Sequence, residues 1–281
     1  MKPASGASRP GFPLRMPADP GKSGKSVKST AIKSVAAYAH SSGATALKHT
    51  KNTLKIPVLS VSTGLGLDSS AVRDRMVQKL AAQGLQDSRV HAAMRLVERH
   101  RFVDSALVNQ AYEDTSLPIG LGQTISKPNV VARMLELLLE GQPRGGKLGR
   151  VLEIGTGCGY QAALLAQLAT EVYSIERLRG LHDRARENLR PMRIANLHLL
   201  FGDGMLGYAK GAPYAAIISA AGGEAVPQAW LDQLAIGGRL VAPVQGSSGA
   251  QALMVIDKSD RGITQTLLEA VHFVPLKSGT S

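Results

Sequence analysis

Between residues 69 and 140, apolar residues recur three or four positions apart in three separate segments. These segments are SSAVRDRMVQKLAAQGL (69–85), SRVHAAMRLVERH (88–100) and NVVARMLELLLE (129–140). The first segment has a serine before its apolar face and Gly84 after it, which is typical of the two ends of a helix. We therefore expect three helices here, with a loop rich in glycine and proline, SLPIGLGQTISKP (116–128), before the third.

From residue 151 onward, short apolar runs alternate with helical segments. The runs are VLEIG (151–155), VYSIE (172–176), LHLLFG (197–202), AAIISAA (215–221) and GRLVAPV (238–244). This alternation predicts an α/β fold with a doubly wound, mostly parallel sheet and helices on both faces. The last two runs, ALMVID (252–257) and EAVHFVPL (269–276), have no helix between them. We therefore expect an antiparallel edge at the C-terminal end of the sheet.

The formal net charge is +12, and most of it lies in the first quarter of the chain. Residues 1–70 contain ten Lys and Arg but only two acids, Asp19 and Asp68. This stretch is rich in Pro, Gly, Ser and Lys, and it lacks the apolar density needed to offset the entropy of ordering. We expect residues 1–68 to form a basic, disordered extension and residues 69–281 to form one folded domain. The extension is interpreted as a solvated tail, with a weak contact to nucleic acid or to an acidic surface as the alternative.

The composition also argues against several classes of protein. Cys158 is the only cysteine, which excludes an intrachain disulfide and a cysteine-cluster zinc site. No apolar run approaches the roughly 18 residues of a membrane span, and the basic N-terminal region lacks the apolar core of a secretory signal. We expect a cytoplasmic protein with no membrane partner and no metal.

Three glycines follow the first predicted strand of the sheet. Gly155, Gly157 and Gly159 fall on the strand-to-helix turn, where doubly wound folds bind their ligands. The dinucleotide fingerprint requires a glycine at position 160, which is Tyr160 here, and the loop has no basic residue to meet a pyrophosphate. The loop therefore favours a ligand without phosphates, although glycine turns also occur for purely structural reasons.

Acidic residues end the next two predicted strands. Glu176 can accept hydrogen bonds from both hydroxyls of a ribose, and Asp203, between Gly202 and Gly204, can reach an adenine amino group. The alternatives are a solvated glutamate at a strand end and an ordinary Asp-Gly turn. Because the three features lie at the tips of successive strands, together they indicate a nucleoside site.

The pattern of glutamate and three alternating glycines, from Glu153 to Gly159, resembles the first motif of S-adenosylmethionine-dependent methyltransferases. More specifically, AYEDTSLPIGLGQTISKP (111–128) resembles the signature of the protein-L-isoaspartate O-methyltransferase family, as do RHRFVD (99–104), SIER (174–177) and FVPL (273–276). The resemblance covers about residues 70–276. It implies a catalytic domain that transfers a methyl group from S-adenosyl-L-methionine to the free carboxylate of isoaspartyl residues in damaged peptides and proteins, which is a repair reaction.

The resemblance also assigns roles to individual residues. Ser126 is the catalytic candidate, because its hydroxyl would orient the substrate carboxylate. The expected cofactor-binding residues are Glu153, Gly155, Thr156, Gly157, Gly159, Glu176, Arg177, Asp203 and Gly204. The expected flap over the cofactor and the peptide consists of Ile119, Gly120, Gln123 and Thr124. For Ser126 the alternative is a capping role only, since it comes just before Pro128 and a helix.

Two positions depart from the family pattern, and two other functions stay open. Lys127 replaces a more common glutamine, and Ala215 replaces an acid at the start of the fourth strand of the parallel set. The positive charge leaves a nucleic-acid methyltransferase as an alternative, although SAAGG (219–223) stands where base-methylating enzymes carry an Asn/Asp-Pro-Pro-aromatic loop. The other alternative is a binding protein that keeps the fold without turnover. No stable nucleic-acid partner is expected.

Overall fold

The computed structural model describes residues 70–140, 146–246 and 249–281. The predicted disordered extension, residues 1–68, lies outside the described residues. Within the described part, six α-helices are found: α1 Ser70–Ala82, α2 Ser88–Leu96, α3 Pro128–Leu139, α4 Tyr160–Leu168, α5 Arg179–Leu189 and α6 Gln228–Gln233. The three helices expected before residue 140 are therefore confirmed.

Nine strands are found in the described residues: β1 Leu117–Gly120, β2 Gln123–Ile125, β3 Leu148–Ile154, β4 Ala169–Glu176, β5 Leu197–Phe201, β6 Tyr214–Ser219, β7 Leu234–Gln245, β8 Gln251–Ser259 and β9 Gly262–Val271. Strands β1 and β2 form a small antiparallel hairpin. The other seven form one sheet in the order β5-β4-β3-β6-β7-β8-β9.

The main sheet is parallel from β5 to β7 and antiparallel from β7 to β9. Alternate residues of β3 enter two apolar cores: Val151 packs on one face with α1 to α5, and Leu152 packs on the other face with Trp230 of α6. The predicted doubly wound, mostly parallel sheet with helices on both faces and an antiparallel C-terminal edge is confirmed, with most helices on one face.

The last predicted strand was placed too late in the sequence. Strand β9 begins at Gly262 and ends at Val271, so Phe273 and the residues after it have left the sheet. Most of β9 is exposed, and its sequence therefore does not show the alternation by which a half-buried strand is recognised. Residues 274–276 instead run beside Gly222, whose N–H donates to the carbonyl of Val274 at 2.9 Å. This path brings the chain's last residues to the carboxyl ends of the parallel strands.

Candidate active site

The glycine turn leaves β3 in a conformation that side chains rarely adopt. Gly155, Gly157 and Gly159 have φ angles of 87°, 58° and 93°. A Cβ at Gly159 would lie 2.7 Å from Cδ1 of Leu189, and a Cβ at Gly157 would lie 3.2 Å from Cδ1 of Ile119. The glycines therefore permit both the sharp turn and the close approach of the hairpin formed by β1 and β2.

Glu176, at the end of β4, holds this turn and is open to a ligand. Its two carboxylate oxygens accept hydrogen bonds from the backbone N–H of Gly157 and of Leu178, each at 2.9 Å. A carboxylate has about four lone-pair positions. Glu176 therefore keeps acceptor capacity toward the cavity that it lines.

Glu153 lies beneath the glycine turn and does not line the cavity. It is fully buried, and it accepts a short hydrogen bond from the hydroxyl of Ser174, which in turn is 2.6 Å from the hydroxyl of Thr156. Burial raises the pKa of Glu153 to about 8, against the opposing effect of the Ser174 hydrogen bond. Glu153 thus supports the turn from a site that favours its protonated form.

The turn after β5 is braced from two sides. Asp203 accepts hydrogen bonds from the N–H of Met205 at 2.9 Å and of Gly279 at 2.6 Å. The Trp230 indole N–H donates to the carbonyl of Gly204 at 2.8 Å. Gly204 lines the cavity and Asp203 does not. The adenine contact expected of Asp203 therefore stays a prediction.

The hairpin formed by β1 and β2, hereafter the flap, closes the opposite side of the cavity. Ile119, Gln123 and Thr124 line the cavity, whereas Gly120 lies at the turn with a φ of 91°. Arg184, on α5, donates a hydrogen bond from Nη1 to the carbonyl of Ile119 at 2.7 Å. This bond fastens the flap to the helix that follows Glu176.

Ser126 lines the same cavity at the base of the flap. Its hydroxyl makes no hydrogen bond with any described residue. The residue that caps α3 is Lys127, without a side-chain hydrogen bond, and Pro128 is the first helical residue. The interpretation of Ser126 as only a helix cap is therefore wrong, because the helix begins one residue later.

The cavity has a volume of about 270 Å³ and collects most of the predicted site residues. The predicted residues that line it are Ile119, Gln123, Thr124, Ser126, Gly155, Thr156, Gly157, Glu176, Arg177 and Gly204. The predicted residues that do not line it are Gly120, Glu153, Gly159 and Asp203.

Sequence reasoning missed two parts of the cavity. Gln161, on the first turn of α4, lines it with a buried Nε2 that has no hydrogen-bond partner in the described residues. The segment from Val274 to Lys277 also lines it. FVPL (273–276) was noticed only as part of the family resemblance, and nothing local in that sequence indicates that the chain returns to the strand tips.

The cavity suits a nucleoside that carries a positive charge and no phosphate. Residues 154–161, which form the turn, include no Lys or Arg. Glu176 offers acceptors for ribose hydroxyls. Gly159 is the N-cap of α4, and no side chain of the described residues caps the N-terminal N–H groups of this helix, which can meet a carboxylate. Together with the topology of the sheet, this site defines the class of S-adenosylmethionine-dependent methyltransferases with a doubly wound fold, and S-adenosyl-L-methionine is the cofactor.

Comparisons with known proteins identify the family. The model of the protein-L-isoaspartate(D-aspartate) O-methyltransferase family matches residues 71–281. Proteins named protein-L-isoaspartate O-methyltransferase from Methylibium petroleiphilum and Leptothrix cholodnii are 65% and 62% identical, over 77% and 79% of this chain and 81% and 79% of theirs. The chain belongs to the protein-L-isoaspartate O-methyltransferase family.

Solved structures agree with this assignment. A protein-L-isoaspartate O-methyltransferase aligns with a TM-score of 0.66 and 27% identity, over 73% of this chain and 66% of that chain. A second structure, described as a putative member of the same family from Plasmodium falciparum in complex with S-adenosyl-L-homocysteine, has a TM-score of 0.63 and 25% identity, over 73% of this chain and 98% of that chain.

Proposed function

We propose that this chain transfers a methyl group from S-adenosyl-L-methionine to the free carboxylate of isoaspartyl residues in damaged proteins, with Ser126 as the residue that orients the carboxylate. The observation that carries this assignment of Ser126 is its hydroxyl, which has no partner among the described residues and lines the same cavity as the glycine turn and Glu176. Membership of the family supplies the reaction.

The methyl transfer depends on positioning of the substrate carboxylate more than on proton transfer. A carboxylate is already ionised at pH 7, so no general base is needed to create the nucleophile. The Ser126 hydroxyl donates to one carboxylate oxygen and leaves the other in place to react. Aligning the reacting groups in this way can account for much of the rate.

The walls of the cavity favour loss of charge. When bound, S-adenosyl-L-methionine supplies a methyl group on a positively charged sulfur. An anion and a cation thus become neutral products, and a dry site favours that change because it solvates the separated charges less well. Ile119, Ile125 and Val131 are buried side chains of the lining and keep water from the substrate side.

Methylation serves repair through the chemistry of the product. The methyl ester closes to a succinimide more readily than the free acid does, and part of the succinimide hydrolyses to normal aspartate. The substrates are therefore isoaspartyl-containing peptides and proteins.

The proposed reaction is tested with labelled S-adenosyl-L-methionine and three acceptors. We expect methyl incorporation into an isoaspartyl peptide, and none above background into its aspartyl twin or into RNA. Label in RNA alone would favour the nucleic-acid methyltransferase, and label in none of the three would favour a binding protein without turnover. Either result contradicts the proposal.

Two other predictions concern the surroundings of the enzyme. We propose that it acts in the cytoplasm and that residues 1–68 make at most a weak contact with nucleic acid. Both rest on composition alone. In the described part of the chain, no helix has the length and apolar character needed to cross a membrane, and no group of three or more potential metal ligands is found there.

A further inference from the structure

Arg99 carries a buried positive charge directly behind the substrate side of the cavity. Its side chain is fully buried. Nε donates to the carbonyl of Ala111 at 2.8 Å, and Nη2 donates to the carbonyl of Ser126 at 2.8 Å. The guanidinium carbon also lies 4.9 Å from the ring centroid of Tyr160, a residue that lines the cavity.

No acid of the described residues pairs directly with this charge, although the Asp114 carboxylate attracts it from beyond ion-pair distance. Among the described residues, no carboxylate lies within ion-pair distance of Arg99, in contrast to the other arginines of this region, such as Arg73 and Arg101, which pair with Glu98. The Nη1 group of Arg99 and the hydroxyl of Tyr160 are both buried, and neither makes a hydrogen bond of good geometry with a described residue. Burying an ionised group without an oppositely charged partner costs free energy of folding.

Three neutral carbonyl groups, those of Ala111, Thr115 and Ser126, solvate the cation but do not cancel its charge. Arginine stays protonated at any pH at which the protein is folded, so the positive potential of Arg99 extends into the cavity beside Ser126. The group that belongs there during the reaction is an anion, the isoaspartyl carboxylate.

We propose that Arg99 is a positioning residue that selects an anionic substrate: it fixes the backbone of Ser126, and its unneutralised charge attracts the carboxylate that the Ser126 hydroxyl orients. This inference rests on the proposed function. The substrate loses its negative charge on methylation, so the same residue favours binding of the substrate over binding of the neutral ester product.

The sign of the effect on catalysis follows from the change in charge. Because the carboxylate is less negative in the transition state than in the ground state, Arg99 stabilises the bound substrate at least as strongly as the transition state. Arg99 therefore strengthens substrate binding and lowers KM, and it does not raise kcat. For a separation of roughly 8 Å between the two charges and an effective dielectric constant of about 20, their attraction changes an equilibrium by about thirtyfold.

The test compares two peptides that differ only in charge. The dissociation constants of an isoaspartyl peptide and of its α-carboxamide analogue are measured with the full chain saturated with S-adenosyl-L-homocysteine. For the wild-type protein we expect the carboxamide to bind roughly ten- to thirtyfold more weakly. In Arg99→Gln we expect the ratio of the two dissociation constants to fall to about threefold or less. Arg99→Lys keeps the positive charge and should retain most of the wild-type ratio.

Arg239→Gln is the matched control. Arg239 is also largely buried, and it donates to the carbonyl of Leu137 and to Asp257 near the amino ends of the parallel strands. Its loss lowers stability but leaves the peptide ratio unchanged. In kinetic assays, KM for the isoaspartyl peptide rises in Arg99→Gln by more than kcat falls.

The proposal is overturned by a ratio near one in the wild-type protein, a result that needs no variant to fold. An unchanged ratio in Arg99→Gln, or a loss confined to kcat, overturns it as well. Methylation of the isoaspartyl peptide by the same wild-type samples keeps the two hypotheses apart, since the proposed function fails only if that peptide is not methylated.

Discussion

Ser126 and Glu153 were both predicted as site residues, and the structure gives them different surroundings. The Ser126 hydroxyl lines the cavity without a protein partner, whereas the Glu153 carboxyl is buried under the glycine turn against Ser174. In the proposed function the first residue acts on the substrate, whereas the second holds the loop. These two environments lead to different expectations on substitution.

Replacing Ser126 by alanine removes one hydrogen bond to a charged oxygen. Such bonds contribute about 1.5–3 kcal/mol, so we expect kcat/KM for the isoaspartyl peptide to fall roughly ten- to a hundredfold, with a lower kcat because the carboxylate is no longer oriented. The dissociation constant for S-adenosyl-L-methionine, measured by calorimetry, changes little. Ser116→Ala, at an exposed serine outside the cavity, is the control. Unaltered turnover in Ser126→Ala would remove this residue from the mechanism.

Glu153 makes stability depend on pH. Its pKa is raised to about 8 in the folded protein, whereas in the unfolded chain the carboxyl ionises near pH 4.3. Between these values the folded state binds one proton more, so stability that is present below pH 4.3 is lost progressively up to about pH 8. From pH 5.5 to 7.5 the loss attributable to Glu153 is about 2–3 kcal/mol.

Urea unfolding at these two pH values measures that loss. We expect Glu153→Gln to lose less stability than the wild-type protein as the pH rises, because the amide does not titrate. Glu224→Gln, at an exposed glutamate, should retain the full wild-type dependence. An identical slope in the wild-type protein and in Glu153→Gln would show that Glu153 is not held neutral by burial.

At the scale of elements, the flap and α5 form one unit. The flap is only two short strands, and an isolated hairpin of this size is marginally stable in water. Arg184 ties it to α5 through the carbonyl of Ile119. The cavity therefore depends on an element that has little stability of its own.

Arg184→Met removes this tie. We expect KM to rise about tenfold for both the peptide and S-adenosyl-L-methionine, since a hydrogen bond from a charged donor contributes about 1.5–3 kcal/mol and part of that is recovered from water. The free energy of unfolding should change little. Arg186→Met, on an exposed position of the same helix, serves as the control. Wild-type KM values in Arg184→Met would mean that the flap is held by other contacts.

The elements also show which parts of the fold a sequence can predict. Strand β3 and helix α4 are found where their apolar patterns place them, because both are buried and the pattern reports burial. Strand β9 was misplaced because it is an exposed edge strand. The capping role considered for Ser126 failed because the helix begins one residue later, at Pro128, within the ordinary uncertainty of helix ends.

At the scale of the whole molecule, the site unites segments that are far apart in the sequence. The glycine turn, Glu176 and Ser126 were predictable because each carries a recognisable motif. The contributions of Arg99, Arg184 and residues 274–277 were not, since they depend on contacts between distant elements that no local pattern encodes. The identity of the cofactor was therefore easier to predict than the contacts that hold the flap and those proposed to hold the substrate.

The family match and the described fold both begin near residue 70. We therefore expect a protein that consists of residues 69–281 to methylate the isoaspartyl peptide with kcat and KM within about twofold of the full chain. The physical reason is that residues 1–68 lack the apolar side chains that a folded core needs. Steady-state kinetics on both proteins makes the comparison. A large loss of activity on truncation would assign residues 1–68 a part in the site.

The central claim is that the cavity between the glycine turn and the flap holds the cofactor with the substrate carboxylate at Ser126. The most direct measurement is a crystal structure with S-adenosyl-L-homocysteine and an isoaspartyl peptide bound. We expect the ribose hydroxyls at Glu176 and a carboxylate oxygen within about 3.0 Å of the Ser126 hydroxyl. A nucleoside bound elsewhere, or a peptide whose carboxylate does not approach Ser126, would contradict the claim.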